Sequence, residues 1–179
     1  TLIKSITILR KKGILDRHCC LCLSIIGGEP NAENGQLSAE MARLKSLSET
    51  HGLDDLVTFL GRRGQDTLPY YYSASEAVIM PSHYESFGMV ALEAMACGTP
   101  VVASEVGGLA FLVQDGVTGF HFPAEDHQAL SEKLITLIEN RDLRRKMSAQ
   151  AAEVARGYDW DRIAARINAV YLDINHVKG

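Results

Sequence analysis

The chain has 179 residues, of which 46% are hydrophobic and 22% are charged, and its formal net charge is −4. This length and apolar content suit one folded domain and exclude a disordered chain. No apolar run approaches the ~20 residues of a membrane span, no signal peptide is evident, and no basic stripe of the kind that binds nucleic acid is visible. We therefore expect a soluble, cytoplasmic protein, and a first residue of Thr rather than Met indicates a piece of a longer gene product.

Three of the four cysteines, Cys19, Cys20 and Cys22, lie within one apolar run, and Cys97 lies far from them. We expect buried thiols in a reducing cytosol rather than a disulfide framework, a zinc site or a redox centre. No metal ligand is assigned.

Apolar runs alternate with segments of helical periodicity through the first two thirds of the chain. The predicted strands are Cys19–Ile26, Val57–Leu60, Ala77–Met80, Val101–Ala103 and Gly119–Phe122. The predicted helices between them are Thr1–Lys12, Ser38–His51 with Ser38 as its cap, Leu68–Ser73 and Met89–Cys97. A continuous apolar run such as Cys19–Ile26 is typical of a strand buried on both faces. We interpret Tyr70–Tyr72 as an aromatic helix surface that packs on the sheet.

The final third of the chain has no predicted strand. Its three amphipathic helices are Asp126–Asn140, Leu143–Arg156 and Asp161–Asn175. The order of elements predicts an α/β fold, a doubly wound parallel sheet with a C-terminal helical extension. Such a helical extension could lie against a neighbouring domain.

Ligands of an open parallel sheet bind at the carboxyl ends of its strands. The loops that follow the predicted strands, at residues 27–30, 61–64, 81–88 and 104–109, are therefore the candidate sites. The dinucleotide pattern G-x-G-x-x-G, the Walker phosphate loop and the hydrolase pattern G-x-S-x-G do not occur in the sequence.

The segment around residues 81–100 is the most informative. Glu85 lies in the loop, and Glu93 falls inside an otherwise apolar helix, where an unpaired carboxylate is costly. Gly88 opens this helix, at a point where a side chain would crowd the phosphate oxygens, and we expect the backbone N–H groups from Phe87 to Val90 to be free to hold a phosphate. Two carboxylates that flank an anion site can accept hydroxyl hydrogens from the sugars on either side of a diphosphate.

At these residues the chain resembles the donor-binding, C-terminal domain of retaining glycosyltransferases with the GT-B fold. This family includes sucrose synthase, sucrose-phosphate synthase and the mycothiol-pathway glycosyltransferase. The shared pattern is E-x7-E from Glu85 to Glu93, then G-x-P-V-V-A at 98–103, the pair Gly107-Gly108 and G-x-x-G at 116–119. The resemblance extends over nearly the whole chain and implies the Rossmann-like half of a GT-B fold.

The resemblance implies that residues 1–179 form a nucleotide-sugar donor-binding domain, from which the N-terminal acceptor domain is absent. It implies that Glu85 lies by the transferred sugar as the catalytic residue and that Glu93 binds the ribose hydroxyls of the donor. It also implies a metal-independent reaction without a cofactor, in which the substrate is a UDP-glucose-like nucleotide sugar. The remaining donor-binding residues implied are Ser86, Phe87, Gly88, Met89 and Val90 beside the diphosphate, and Gly28, Gly61 and Arg62 beside the nucleotide.

The partners implied are the donor, a small-molecule or lipid-linked acceptor and the N-terminal domain of the same protein, with membrane contact at most peripheral. Phe111 stands where the glycogen-synthase branch of the family has an acidic residue, which argues against a polymer-building activity. Two other hypotheses remain open at this point. One is a non-catalytic nucleotide-sugar-binding module, and the other is a sugar-nucleotide epimerase of the same fold.

Overall fold

The computed structural model describes residues 1–17, 21–28, 30–31, 36–37 and 39–176. The strands in this part of the chain are β1 (Leu23–Ile26), β2 (Pro30–Asn31), β3 (Gln36–Leu37), β4 (Val57–Gly61), β5 (Val78–Met80), β6 (Val101–Ser104) and β7 (Gly119–Phe122). The first helices are α1 (Leu2–Lys11), α2 (Ile14–Arg17), α3 (Ala39–Thr50), α4 (Leu68–Ala74), α5 (Met89–Ala96) and α6 (Leu109–Leu112). The later helices are α7 (His127–Glu139), α8 (Arg141–Ala155) and α9 (Trp160–His176), with a 3₁₀ turn at Arg156–Tyr158.

The main strands are parallel, as predicted, and they fall into two hydrogen-bonded groups. β1 pairs with β4, and β6 lies between β5 and β7. In addition, β2 and β3 form a short antiparallel pair. Because parallel strands have their carboxyl ends at the same edge, the candidate loops that follow the paired strands lie together at that edge.

The two groups differ in how deeply their strands are buried. All four residues of β6 are buried, because β6 has a neighbour on each side. No residue of β1 is fully buried and Ser24 is exposed, so the prediction that this apolar run is buried on both faces is wrong over Leu23–Ile26. Among the described strands β1 has one neighbour, which leaves its other edge without a ladder. Ser38, Cys19 and Cys20, to which other predictions refer, lie outside the described residues.

One hydrophobic cluster contains residues of both strand groups and therefore joins them. It includes side chains of α1, β4, β6, β7 and α7, among them Ile3, Leu9, Val57, Val102, Phe122, Leu130 and Leu134. A second cluster packs α5 and α6 against β6 and α8, through Ala91, Met95, Val101, Leu109 and Ala151.

Two of the three C-terminal helices pack on other helices of this chain, and contact of the extension with a neighbouring domain stays a prediction. α7 packs on α1, and α8 packs on α5. A side chain caps the N-terminus of each of these two helices. Asp126 accepts hydrogen bonds from the N–H groups of Gln128 and Ala129 at 2.9 Å, and Asn140 accepts one from the N–H group of Leu143 at 2.9 Å. Of the three, α9 alone leaves a row of exposed apolar side chains, including Trp160, Ile167, Val170 and Tyr171. Within the described residues, no helix is both long and apolar enough to cross a membrane.

Candidate functional site

The four candidate loops meet in two pairs at the carboxyl ends of the strands. The N–H group of Gly27 donates to the carbonyl oxygen of Gly61 at 3.0 Å, which joins the loops after β1 and β4. The N–H group of Gly108 donates to the carbonyl oxygen of Glu85 at 2.9 Å, which joins the loops after β5 and β6. α4 and α5, which follow the loops after β4 and β5, connect the two pairs through side chains.

Glu85 contacts the backbone just before α5, whose N-cap is Gly88. Its Oε1 atom accepts hydrogen bonds from the N–H groups of Phe87 at 3.4 Å and of Gly88 at 3.2 Å. The expectation that all N–H groups from Phe87 to Val90 are free is therefore wrong for the first two. Both contacts are longer than a typical N–H···O bond of about 2.9–3.0 Å, so they are weak. For the N–H groups of Met89 and Val90, no acceptor is found among the described residues.

The pair Gly107-Gly108 lies directly against this loop. A Cβ atom on Gly107 would come within 1.9 Å of the carbonyl oxygen of Glu85, and one on Gly108 within 2.4 Å of the Cα atom of Phe87. Only glycine lets the two backbones approach this closely. The pair was absent from the predicted site residues, although its place in the shared motif was a signal that could have added it.

Gly88 is glycine for a different reason from the one that the sequence suggested. It is buried, with φ at +96°, and a Cβ atom there would lie 2.9 Å from Cδ2 of Leu109. The missing side chain therefore faces the core between α5 and α6, not the anion side of the loop. The left-handed backbone itself favours glycine at this helix start.

The remaining predicted residues of this loop point outward. Ser86 is exposed, and so are the side chains of Phe87, Met89 and Val90, the last two at 52% and 44%. The ring of Phe87 meets the ring of Tyr158 edge to face, with 6.0 Å between centroids. The first turn of α5 thus presents backbone donors with apolar side chains around them.

Glu93 lies one turn further along α5 and is held by α4. The hydroxyl group of Tyr72 donates to Glu93 Oε2 at 3.0 Å, and Tyr72 is 6% exposed. Burial and the adjacent carboxylate raise the pKa of the Tyr72 phenol above its ordinary value of 10. Glu93 and Tyr72 also line a pocket of about 230 Å³, together with Gln65, Leu68, Pro69, Ala96 and Cys97.

Gly28, Gly61 and Arg62 occupy the other pair of loops. Gly28 and Gly61 have φ at +75° and +68°, and space is open where a Cβ atom of Gly61 would point. Arg62 is exposed, and its neighbour Arg63 donates from Nε to the hydroxyl oxygen of Tyr71 at 3.0 Å. Consecutive tyrosines of α4 therefore contact the loop after β4 and the carboxylate of Glu93.

The sequence on both sides of α5 is poor in positive charge. The sequence has no Lys or Arg between Arg63 and Lys133. His83 lies in the loop before α5, and its Nδ1 atom is 3.1 Å from Glu125 Oε1, both side chains being exposed. Glu125 has φ at +68°, a left-handed conformation that is uncommon for a non-glycine residue. Among the described residues, no group of three or more His, Cys, Asp or Glu side chains could hold a metal ion.

Comparison with known proteins gives this arrangement a context. The family model described as "Glycosyl transferases group 1" matches residues 1–154. A D-inositol 3-phosphate glycosyltransferase of Actinosynnema mirum is 39% identical over 151 residues, which are 84% of this chain and 35% of the relative. The chain thus spans about a third of the length of that curated relative.

Solved structures agree on the fold. Sucrose-phosphate synthase from Thermosynechococcus elongatus superimposes with a TM-score of 0.80 at 32% identity, covering 98% of this chain and 42% of that one. HepE from Anabaena, whose crystal structure is a complex with UDP, superimposes with a TM-score of 0.75 at 29% identity, covering 86% of this chain and 41% of that one.

Proposed function

Because this chain belongs to the group 1 family of glycosyl transferases, we propose that it supplies the donor half of a nucleotide-sugar-dependent transferase. The complete enzyme moves a hexose from a UDP-glucose-like donor to an acceptor hydroxyl and retains the anomeric configuration. The similarity to a UDP-bound structure supports a uridine nucleotide as the donor carrier. The curated relative that acts on D-inositol 3-phosphate supports a small-molecule acceptor.

The observation that carries this proposal is the placement of two carboxylates at α5, one in the loop before the helix and one in its second turn. Glu85 accepts N–H groups at the helix start, and Glu93 is fixed on the side that faces α4. When the bond between the sugar and the diphosphate breaks, positive charge develops on the sugar and negative charge on the leaving diphosphate. The positive pole of α5 suits the diphosphate, and a carboxylate beside the sugar suits the developing cation.

Glu85 and the diphosphate compete for the same donors in this proposal. A phosphate oxygen on the N–H groups of Phe87 and Gly88 replaces the long hydrogen bonds from Glu85. The displaced carboxylate is then available to turn toward the sugar. Donor binding would thereby free Glu85 to act as the catalytic residue.

The nucleoside occupies the other side of α5. Glu93 accepts the ribose hydroxyls, and the base lies by Gly61 and Arg62, with Gly28 close to the nucleotide. Gly61 supports this assignment because open space lies where a side chain would otherwise point. We propose that an N-terminal domain of the same protein supplies the acceptor-binding site and additional cations for the diphosphate, because the chain spans about a third of its curated relative.

Steady-state kinetics of the complete enzyme with Glu85→Ala and Glu93→Ala test the two roles. A charge-assisted hydrogen bond is worth about 1.5–3 kcal/mol, so Glu93→Ala should raise the donor KM by about 10- to 150-fold with little change in kcat. Glu85→Ala should mainly lower kcat. The exposed Glu49 on α3 offers a matched Glu→Ala control. The reverse pattern would refute the assignment, and isomerisation of the donor without any acceptor would favour the epimerase hypothesis.

A further inference from the structure

We propose that Tyr72 is a positioning residue that fixes the carboxylate of Glu93 for the donor ribose. This inference rests on the proposed function, in which Glu93 binds the ribose hydroxyls. It starts from the 3.0 Å hydrogen bond between the Tyr72 hydroxyl and Glu93 Oε2. This contact joins α4 to α5 and is not part of either helix's own backbone pattern.

Tyr72 is a rigid support. Its side chain is buried within the cluster that includes Met80, Ala91 and Met95. Its backbone is held as well, since the Thr99 hydroxyl donates to the Tyr72 carbonyl oxygen at 2.6 Å. A phenol ring fixed in this way leaves its hydroxyl group in one place, so the acceptor atom of Glu93 is fixed with it.

The hydrogen bond leaves the ribose-facing capacity of Glu93 available. A carboxylate has about four acceptor positions, and the phenol uses one of them on Oε2. Oε1 therefore retains its lone pairs for the two adjacent hydroxyl groups of a ribose. No ion pair involves Glu93 within the described residues, so Tyr72 has no cationic competitor there.

Charge favours a tyrosine at this position over a cation. An arginine or lysine would neutralise the carboxylate and compete with the sugar for it, whereas a neutral phenol orients the group and keeps its full charge. The raised pKa of the phenol keeps it protonated, and thus a donor, well above neutral pH.

The ratio of the affinities for UDP and for an analogue that lacks the 2′ and 3′ hydroxyl groups of the ribose tests this role. UDP and its 2′,3′-dideoxy analogue are titrated by NMR into the 179-residue chain and into its Tyr72→Phe variant. Wild-type chain should prefer UDP, and Tyr72→Phe should reduce that preference by about 3- to 10-fold, because a well-placed hydrogen bond is worth about this much. Affinity for the dideoxy analogue should not change. Tyr70→Phe, on the same helix but 76% exposed, is the matched control and should retain the wild-type preference.

The outcomes separate this inference from the proposed function. If the wild-type chain does not bind UDP, or binds both nucleotides equally, the ribose role of Glu93 fails and the role of Tyr72 fails with it. If wild type and Tyr72→Phe show the same preference, the positioning role alone is overturned. If Tyr72→Phe does not fold, ¹³Cζ-labelled tyrosine in the wild-type chain gives the answer. The Tyr72 signal should then shift with UDP and less with the dideoxy analogue, and an unchanged signal at saturation overturns the proposal.

Discussion

Replacement of Gly108 by alanine should separate the two loops that build the start of α5. A Cβ atom at this position lies 2.4 Å from Cα of Phe87 and 2.5 Å from its carbonyl oxygen, whereas ordinary van der Waals contact begins near 3.4 Å. Both atoms belong to the backbone, so no side chain can turn aside. One loop must therefore move by about 1 Å relative to the other.

The energetic cost has two parts. Forcing extra volume into a packed site costs about 1–3 kcal/mol. The hydrogen bond from the Gly108 N–H group to the carbonyl oxygen of Glu85, 2.9 Å long, is lost or lengthened, at a cost of about 0.5–1.5 kcal/mol. We expect Gly108→Ala to lower the free energy of unfolding by about 1.5–4.5 kcal/mol. In the complete enzyme, a displacement of about 1 Å beside Glu85 should also cost about 100-fold in turnover.

Urea denaturation of the 179-residue chain measures the first effect. The midpoint should fall while the slope m stays constant, because the native state remains equally compact. Gly157→Ala is the matched control, since no heavy atom lies within 4 Å of the Cβ position at Gly157 and its φ is not in the left-handed region. A Gly108→Ala chain as stable as the Gly157→Ala chain would refute the close approach of the two loops.

Three further perturbations have expected outcomes. The pKa of Tyr72 is raised above its usual 10 in the folded state, so the contribution of Tyr72 to stability is complete below about pH 10 and is lost as the pH rises further. In urea titrations above that pH, the free energy of unfolding should therefore fall more steeply with pH for wild type than for Tyr72→Phe. Arg144 donates to Glu76 Oε2 and to two carbonyl oxygens at the end of α7. Arg144→Ala should therefore lower the free energy of unfolding, measured by urea denaturation, by about 1.5–3 kcal/mol. Arg145→Ala, at an exposed and loosely paired position, should stay within about 0.5 kcal/mol. Of the two described cysteines, the exposed Cys22 should react with an alkylating reagent before the half-buried Cys97, and mass spectrometry of the modified chain measures the order. The exposure of Cys22 also contradicts the expectation that its thiol is buried.

The long, strongly patterned elements could be predicted from the sequence. Gly119–Phe122 begins and ends where the pattern indicated, and Met89–Ala96 differs from the prediction by one residue. The short elements could not, because a two-residue strand pair or the single turns Ile14–Arg17 and Leu109–Leu112 carry too few residues to show a period. Their conformation follows from the surfaces on which they pack.

The candidate site shows the same division between local pattern and tertiary contact. The motif identified Glu85 and Glu93, and the aromatic run around Tyr72 was correctly interpreted as packing for that residue. The hydrogen bond between Tyr72 and Glu93 joins residues 21 positions apart, and no local period predicts it. The role of Gly88 was misassigned for a related reason, since the atoms that exclude a side chain there belong to the distant residue Leu109.

The division of the strands into a pair and a triplet has a consequence for how ligand binding is coupled to local opening. No described backbone hydrogen bond joins the β1–β4 pair to the β5–β6–β7 triplet, and side-chain packing alone links them. The pair can therefore exchange its amide hydrogens through a sub-global opening that leaves the triplet intact. We expect the two-stranded unit, next to Gly28 and Gly61, to be less protected than the three-stranded unit beside Glu85 and Glu93. Under the proposed function, a nucleotide that spans both units would close that opening, and part of its binding free energy would be used to hold the two units together. An element that anchors the pair to the triplet would then strengthen nucleotide affinity without contacting the nucleotide.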